Sequence, residues 1–591
     1  MEVMSMRVSS VRERSMGALR PMSALRDQFS QGWYGWSGLR ADLLAGLSVA
    51  MIAIPLAMAL AIASGVPPQY GLNSAIVGGI LAASFGGSRF SISGPTAAFI
   101  VLLAPISARY GMAGLATAGL MAGLILIVFA LCRLGRLIEY VPESVSLGFT
   151  TGIAIVIALL QLNDLLGLGI SQLPEHFPQR LQALVSALPQ LHVSNLLVSG
   201  LTVIFALAWP QRRWIIPGYL PAILAGTLLS LWFASHGEPI DTIGSRFTFH
   251  VDGMLGHGVP SIAPQIQLPW HLPGPDGGSF DLNIQTLRDL LPAAFTIAMM
   301  GSIESLLCAV ILDRTTRTRH HSNGELLGQG IANLITPFFG GIPVTAALAR
   351  SAADVSAGAR SPLSGIFHSL FILLAVLVFA PLFSIIPMAA MAGVLLVVAW
   401  NMSEAPHALR LLRTAPRADR LVFLTCVALT VSFDMMIAIG VGCVLATMLL
   451  LRDLARFTQI RDISTSRHYS QEPLPLGWRM VKITGAMFFA AAEGVLRDLL
   501  DSTEADSNLI LYADGITVFD AGAASAFHRF LQECTNHRHI RVIVTDLQPQ
   551  VRQAFDEAGL DDADYHFKIC ASLAEATALA RWEARPEPCL T

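Results

Sequence analysis

Ser88-Arg89-Phe90-Ser91-Ile92-Ser93-Gly94-Pro95-Thr96-Ala97-Ala98-Phe99-Ile100-Val101-Leu102-Leu103 changes character half-way along. The first half is polar, β-tending and broken by glycine. The second half reads as an apolar helix starting at Pro95, a residue that suits a first turn because its missing N–H would be unpaired there anyway. Apolar runs of membrane length flank the stretch, and broken backbone at that depth is tolerated only where it lines a cavity. A helix that begins inside a membrane aims free N–H groups and a positive dipole end at whatever precedes it. The stretch reads as an anion site.

The 591 residues are 53% hydrophobic and only 13% charged, with a mean hydropathy of +0.59. Apolar runs recur from Leu43 to Leu451 and then stop, which predicts a polytopic α-helical membrane protein followed by a soluble tail. The first run carries no small-residue cleavage site, so no removable signal peptide is expected. The seven cysteines (Cys132, Cys308, Cys426, Cys443, Cys534, Cys570 and Cys589) form no CxxC pair or metal spacing, so neither a disulfide frame nor a bound metal or other cofactor is expected. A net charge of −3 singles out no class of partner, and nothing points to nucleic acid.

Residues 1–40 carry Arg7, Arg12, Arg14, Arg20, Arg26 and Arg40, the mark of a cytoplasmic segment. About fourteen membrane segments follow. They lie near 43–63, 69–85, 95–107, 112–131, 143–162, 193–209, 217–234, 288–312, 326–339, 343–356, 362–380, 384–400, 419–433 and 435–451. Alternate loops hold Arg133 and Arg136; Arg212 and Arg213; Arg314, Arg317 and Arg319; and Arg410, Arg413, Arg417 and Arg420. The other loops hold almost only Arg109, Arg180 and Arg246. This alternation orients the membrane domain, 41–452, and returns the chain to the cytoplasm for a last domain, 453–591. The longest outer loop, 235–285, is rich in Pro and Gly and reads as an extracytoplasmic excursion.

A faint repeat recurs at an offset of roughly 250 residues. Phe85-Gly86-Gly87 leads to Pro95-Thr96-Ala97-Ala98, and Phe339-Gly340-Gly341 leads to Pro343-Val344-Thr345-Ala346-Ala347. An odd number of segments separates the copies, so they are inverted in the membrane. Interrupted segments at matching places in inverted halves point to a midplane site.

After Leu451 the pattern changes. Trp478–Thr484, Asn508–Tyr512, Arg541–Thr545 and His566–Cys570 read as strands, with helices near 490–501, 521–535, 548–559 and 572–583. This small α/β domain has no phosphate loop and no nucleophile elbow, so regulation or assembly is expected of it.

Glu304, in Gly301-Ser302-Ile303-Glu304-Ser305, is an ionisable group inside a segment and marks a proton or ion path. The alternative is a carboxylate bonded to broken-helix N–H groups as structural glue. Arg350 lies one turn into the second half-helix and could hold an anion bidentately, pair with Glu304 or snorkel to the cytoplasm. Thr96 and Thr345, with the N–H groups of Ala97 and Ala346, are candidate donors to the anion. The small alanine side chains there let a ligand approach the backbone, although close helix packing would favour alanine equally. Asp434 reads as a solvated turn, Asn333 as an interhelical hydrogen-bonder, and His320 and His321 as a solvated face.

Ile54-Pro55-Leu56-Ala57-Met58-Ala59-Leu60-Ala61, then Ser91-Ile92-Ser93-Gly94-Pro95-Thr96-Ala97-Ala98, resemble the signature of the SulP anion permease family. Glu325-Leu326-Leu327-Gly328-Gln329-Gly330 leading to Phe338-Phe339-Gly340-Gly341-Ile342-Pro343 agrees, and the tail resembles a STAS domain. The likeness runs from Asp42 to Ala584. Gly301-Ser302-Ile303-Glu304-Ser305-Leu306-Leu307-Cys308, Val398-Ala399-Trp400-Asn401-Met402-Ser403-Glu404-Ala405 and Phe488-Phe489-Ala490-Ala491-Ala492-Glu493-Gly494 are closest to the bacterial branch that carries C4-dicarboxylates. The resemblance implies a seven-plus-seven inverted repeat with core and gate domains, an anion between two half-helices, and a homodimer in the bilayer of a bacterial inner membrane. It implies substrate-binding by Thr96, Ala97, Thr345, Ala346, Ala347 and Arg350, proton coupling through Glu304, and a STAS domain that binds a regulatory protein or itself. Sodium-coupled bicarbonate members have an Asp and a downstream Thr where this chain has Glu304 and Cys308, which leans towards protons. Asp520 is followed by Ala521, so phosphorylation at that spot is not expected.

The expected activity is not enzymatic. It is secondary active, proton-coupled uptake of dicarboxylates such as succinate, fumarate and aspartate by alternating access. Bicarbonate or sulfate transport on the same fold is the nearest alternative. An uncoupled anion channel fits less well, because a pure conduit gains nothing from a carboxylate at its centre. A sensor built on the tail would not need intact half-site threonines.

Overall fold

The structure, a computed structural model, describes residues 21–30, 35–135, 142–170, 173–174, 177–209, 218–251, 254–433, 435–466, 468–469, 472–503, 507–536, 538–560 and 566–584. Arg7, Arg12, Arg14, Arg20, Arg136, Arg212, Arg213, Asp434 and Cys589 lie outside them. The chain divides into two compact units, Met1–Cys443 and Val444–Thr591.

In the first unit, a short amphipathic helix α1 (Ser23–Ser30) precedes α2 (Trp36–Ala63), which is apolar on every side. The second segment is broken into α3 (Pro68–Asn73), a π-helical turn (Ser74–Gly78) and α4 (Gly79–Phe85). Strand β1 (Ser93–Gly94) leads into α5 (Ala97–Leu131). Gly111 (φ 67°) splits α5 in two, and a Cβ there would stand 2.2 Å from the Gly274 carbonyl carbon. The chain continues through α6 (Glu143–Leu166), α7 (Phe177–Ala187), α8 (Val193–Ala208), α9 (Tyr219–Ser235) and the short α10 (Ile243–Arg246). A hairpin of β2 (Thr248–Val251) and β3 (Met254–His257) precedes α11 (Ile284–Thr316), which enters from an Asn283 cap. Then come α12 (Ser322–Ile335), β4 (Thr345–Ala346), α13 (Leu348–Ser356), α14 (Leu363–Phe383), α15 (Met388–Met402), α16 (Ala405–Thr414), α17 (Arg417–Ser432) and α18 (Met435–Phe457).

Among the described residues, seven helices are long and apolar enough to cross a membrane unaided. The other expected segments are shorter, bent or broken, and the crossing at the centre of the unit joins the start of the long α5 to that of the nine-residue α13. Helices α2 to α5 and α11 to α14 pack as one group, while α6, α8, α9, α15 and α17 pack as another. These are the expected core and gate. Close approach inside the core rests on small residues. A Cβ on Gly123 of α5 would lie 2.5 Å from the backbone nitrogen of Leu334 beyond α12's midpoint, so the two helices meet backbone to backbone.

The outer excursion is stitched to both groups. On the gate side, the Met388 N–H donates to the Asp241 carbonyl (2.8 Å), and Arg246 pairs with Asp164 of α6 at 2.7 Å. On the core side, the Gln267 N–H donates to the Phe338 carbonyl (2.6 Å), and the Ala113 N–H to the Pro273 carbonyl (3.1 Å). At the other end of the core, Asp27 of α1 pairs with His321 at 2.9 Å, and His320 pairs with Asp313 at 2.8 Å. The two histidines therefore sit in hydrogen-bonding contact with carboxylates, where a solvated face was expected.

The second unit is a five-stranded sheet ordered β5-β6-β7-β8-β9, made of β5 (Gln459–Asp462), β6 (Trp478–Met487), β7 (Asn508–Phe519), β8 (Val542–Thr545) and β9 (Phe567–Cys570). Strand β5 runs antiparallel and the rest are parallel. Period-two alternation splits the sheet's side chains between its faces. Val481, Ile483, Leu509, Leu511, Val542 and Val544 face helices α19 (Ala492–Asp501), α20 (Ala521–Asn536) and α21 (Pro549–Glu557), whereas Met480, Ile510 and Ile543 face α22 (Leu573–Glu583). The sequence pattern missed β5, an edge strand whose side chains are mostly exposed and show no alternation. Asp520 is committed to structure, since its carboxylate accepts from the Ala523 N–H (2.8 Å) at the start of α20 and from the Phe489 N–H (3.2 Å).

A fold-level test lies at the core's edge. The buried carboxylate of Asp42 accepts hydrogen bonds from the Arg360 and Ser361 N–H groups and from the Ser361 hydroxyl, holding the turn that starts α14. Asp42→Ala leaves those donors unpaired, at roughly 1–3 kcal/mol for each buried group. A clear fall in the melting temperature of the detergent-solubilised protein is expected, and an unchanged melting curve would contradict this role.

Candidate functional site

Two short strands cross at the centre of the core. Ser93 pairs with Ala346 and Gly94 with Thr345 in an antiparallel ladder, and each strand runs straight into a helix that begins there. The register differs from the one read by matching strings. Thr345 stands opposite Gly94, inside the ladder, whereas Thr96 lies beyond it as the residue before α5's first turn. The structural counterpart of Thr96 is Ala347, the residue before α13. The second half-helix thus starts at Leu348, after an extended piece, and not at Pro343. Likewise Pro95 precedes the α5 cap and does not occupy its first turn.

Thr96 is extended (φ −124°, ψ 155°), and its hydroxyl does not cap its own helix. It donates instead to Oε2 of Glu304 on α11, at 3.1 Å. Glu304 is half-buried between buried neighbours. Across the ladder, Arg350 extends one Nη2–H to the Pro95 carbonyl at 2.7 Å. It is 1% exposed and so does not snorkel, while its Nε and Nη1 find no hydrogen-bond partner among the described residues. Gly94 makes room for it, because a Cβ there would come 2.6 Å from Nη1.

The remaining expected donors are partly spent on the protein. The Thr345 hydroxyl, at 0% exposure, bonds the Ser305 hydroxyl (2.7 Å) and donates to the Gly301 carbonyl (3.0 Å). The Ala346 N–H reaches Ser305 Oγ at 3.4 Å, and the Ala347 N–H donates to the Ile92 carbonyl at 3.0 Å. Among the described residues, the first N–H groups of the two helices have no intrahelical acceptor. Those are Ala97 and Ala98 on α5, and Leu348 and Ala349 on α13. Of these, Ala349 is exposed and Leu348 half-buried. The result is two positive helix ends, one incompletely paired guanidinium and one carboxyl around a single crossing, an arrangement that attracts an anion and can hold a proton.

The sequence profile of the Sulfate permease family matches residues 39–426, and that of the STAS domain matches residues 473–576. The chain belongs to the sulfate permease family. It is 35% identical over 528 residues to the Bacillus subtilis protein described as putative sulfate transporter YvdB, a match covering 89% of this chain and 95% of that one. It is 30% identical over 429 residues to the bicarbonate transporter BicA of Synechocystis, covering 70% of this chain and 69% of that one. Among solved structures, the murine Slc26a9 anion transporter superposes with a TM-score of 0.78 at 17% identity, over 93% of this chain and 92% of that one, a likeness of fold. The transmembrane domain of a cyanobacterial BicA superposes at 0.57 with 30% identity, over 70% of this chain and 98% of that one. Membership makes this chain a multi-pass membrane transporter of anions and not an enzyme.

Several polar residues around the family's crossing were not singled out from sequence. Ser305, Ser93 and Gln329 are small or neutral and lie in apolar surroundings, yet each is buried and bonded to the crossing. For Gln329 a signal existed, because it stands four residues from both Glu325 and Asn333, on one helix face. Asn333 bonds both backbone groups of Val344, in the extended stretch before β4, and not a second helix as expected.

Gly94→Ala places a methyl group against Arg350 and pushes the guanidinium off the Pro95 carbonyl. Anion uptake in proteoliposomes is expected to fall about tenfold, the equivalent of ~1.4 kcal/mol. Arg350→Gln should reproduce the loss, and wild-type uptake in both variants would remove Arg350 from the site.

Proposed function

We propose that this transporter couples uptake of a dicarboxylate dianion to protons, with the anion held between the starts of α5 and α13 and the proton on Glu304. The observation that carries this reading is the Thr96–Glu304 hydrogen bond, which puts a titratable carboxyl at the mouth of a half-helix. Two unit charges 4 Å apart in a medium of effective dielectric about 20 interact by about 4 kcal/mol. An ionised Glu304 therefore opposes an incoming anion, and a protonated one admits it. Thr96 and the first N–H groups of Ala97 and Ala98 meet the cargo from one side. The helix start at Ala347 to Ala349 and the free edge of Arg350 meet it from the other, with Thr345 and Ala346 shaping the floor. Two separated positive ends suit an anion whose own charges are separated, as in succinate, fumarate or aspartate. Cys308 in place of a hydroxyl leaves a soft group where a sodium ion would want hard oxygen ligands.

In this reading the protein works as a homodimer in a bacterial inner membrane with both termini cytoplasmic, an orientation supported by the arginine alternation. Core moves against gate to carry the crossing from one side to the other, and the STAS domain serves regulation or assembly. A second reading keeps the site and changes the cargo to sulfate or bicarbonate. The relatives at 35% and 30% identity, a putative sulfate transporter and a bicarbonate transporter, favour it.

Uptake of labelled succinate, sulfate and bicarbonate into proteoliposomes, with and without an imposed pH gradient, separates these readings. Succinate should accumulate when the outside is acidic, and Glu304→Gln should transport without responding to the gradient. A mutant that follows the gradient like wild type would sink the proton role. Uptake of sulfate or bicarbonate alone would establish the second reading.

A further inference from the structure

One face of α12 reaches both strands of the crossing. Glu325, Gln329 and Asn333 are spaced by four residues, and each is 1% exposed. Asn333 treats Val344 as a neighbouring strand would, accepting its N–H on Oδ1 (2.8 Å) and donating Nδ2–H to its carbonyl (2.8 Å), immediately before β4. Gln329 Nε2 donates to Ser93 Oγ (2.7 Å) within β1, and to Glu325 Oε1 (3.0 Å). Glu325 Oε2 in turn accepts from the N–H groups of Gly87 and Ser88, both at 3.0 Å, on the approach to β1.

A two-residue ladder has too few bonds of its own to resist sliding, and a slip of one residue would turn every side chain over. The stripe on α12 supplies the missing register from outside, on both strands at once. None of its three residues bonds to Glu304, Thr96 or Arg350 in the described structure, so any influence on the cargo passes through the strands.

We propose that Gln329 and Asn333 are positioning residues of the anion site, which set the height of the two helix starts relative to each other and so tune affinity for the anion. The proposal rests on the reading that the anion binds between those starts. Loss of the Gln329–Ser93 bond would let β1 drift against β4, leaving each helix intact but the two positive ends misaligned. Affinity should suffer while the moving parts, and hence turnover, are spared.

The test is a double-mutant cycle on that bond, read as KM and maximal rate of uptake by the full-length protein in proteoliposomes, using whichever of succinate, sulfate or bicarbonate the wild type transports best. Ser93→Ala and Gln329→Met are each expected to raise KM about five- to tenfold, with maximal rate within about twofold, as for one lost buried hydrogen bond. The double variant should be no worse than the worse single, because both remove the same bond. Asn333→Asp, which keeps the acceptor for the Val344 N–H and loses the donor to its carbonyl, should also raise KM and lower the melting temperature, whereas Ser93→Ala should melt near wild type. Unchanged KM, additive effects in the cycle, or a fall in maximal rate at constant KM would each overturn the proposal. So would failure of Ser93→Ala to accumulate as folded protein, since the bond would then be building the fold. Arg350→Gln assayed alongside separates the two levels. If it leaves KM unchanged, the site itself is misplaced; if it raises KM while Ser93→Ala does not, only the positioning role fails.

Discussion

Backbone that leaves a helix inside a membrane must find partners for every N–H and C=O, because each one left bare in an apolar setting costs several kcal/mol. The core of this protein breaks that rule's usual solution twice, between Phe85 and Ala97 and between Phe339 and Leu348. Its buried polar side chains are best understood as the answer. Glu325 satisfies Gly87 and Ser88, the Ser351 hydroxyl accepts from the Ile92 N–H, Ser74 takes both backbone groups of Ile342, and Asn333 takes both of Val344. Most of the polarity at the centre of the core is therefore structural in origin. The π-helical turn at Ser74 belongs to the same pattern, since it sits where α3 and α4 meet the second break.

What the breaks leave over is the part to which the proposed function assigns the cargo. After the protein has satisfied its own backbone, the N–H groups in the first turns of α5 and α13 still lack acceptors, and Arg350 keeps two nitrogens free. Glu304 is the acidic counterpart on the same crossing, tied to it by Thr96. The proposed site thus draws on groups whose pairing within the described residues is incomplete. A polar group with a protein partner steadies the crossing, and one without a partner is available to a cargo.

Much of this was legible in the residues themselves. Hydrophobic run length located the segments, and an ionisable group inside an apolar helix pointed to Glu304. The alternation that marks buried strands recovered four of the five strands in the STAS unit. What failed was register. Pro343-Val344-Thr345 looks like Pro95-Thr96 as text, but an extended piece can absorb residues without altering its composition, so string matching could not tell ladder from cap. That is why Thr345 turns out buried in the ladder and Ala347 takes the place opposite Thr96. Partnership was equally invisible, since an N–H in a broken segment looks free until its acceptor, often some 250 residues away, is brought beside it.

The brevity of the ladder has a consequence for how such a chain can change. Two paired residues on each strand leave no slack to absorb an added or missing residue. Between Gly87 and Thr96, and between Gly341 and Ala347, the number of residues is therefore held more strictly than their kind. Side chains there can be exchanged for others that fit and still bond, as Ser93 and Ala346 already differ across the pair. One insertion would rotate a helix start away from its mate. The crossing behaves as a ruler whose length is conserved by geometry, while the outer excursion, anchored only at scattered points along its course, has room to lengthen or shorten.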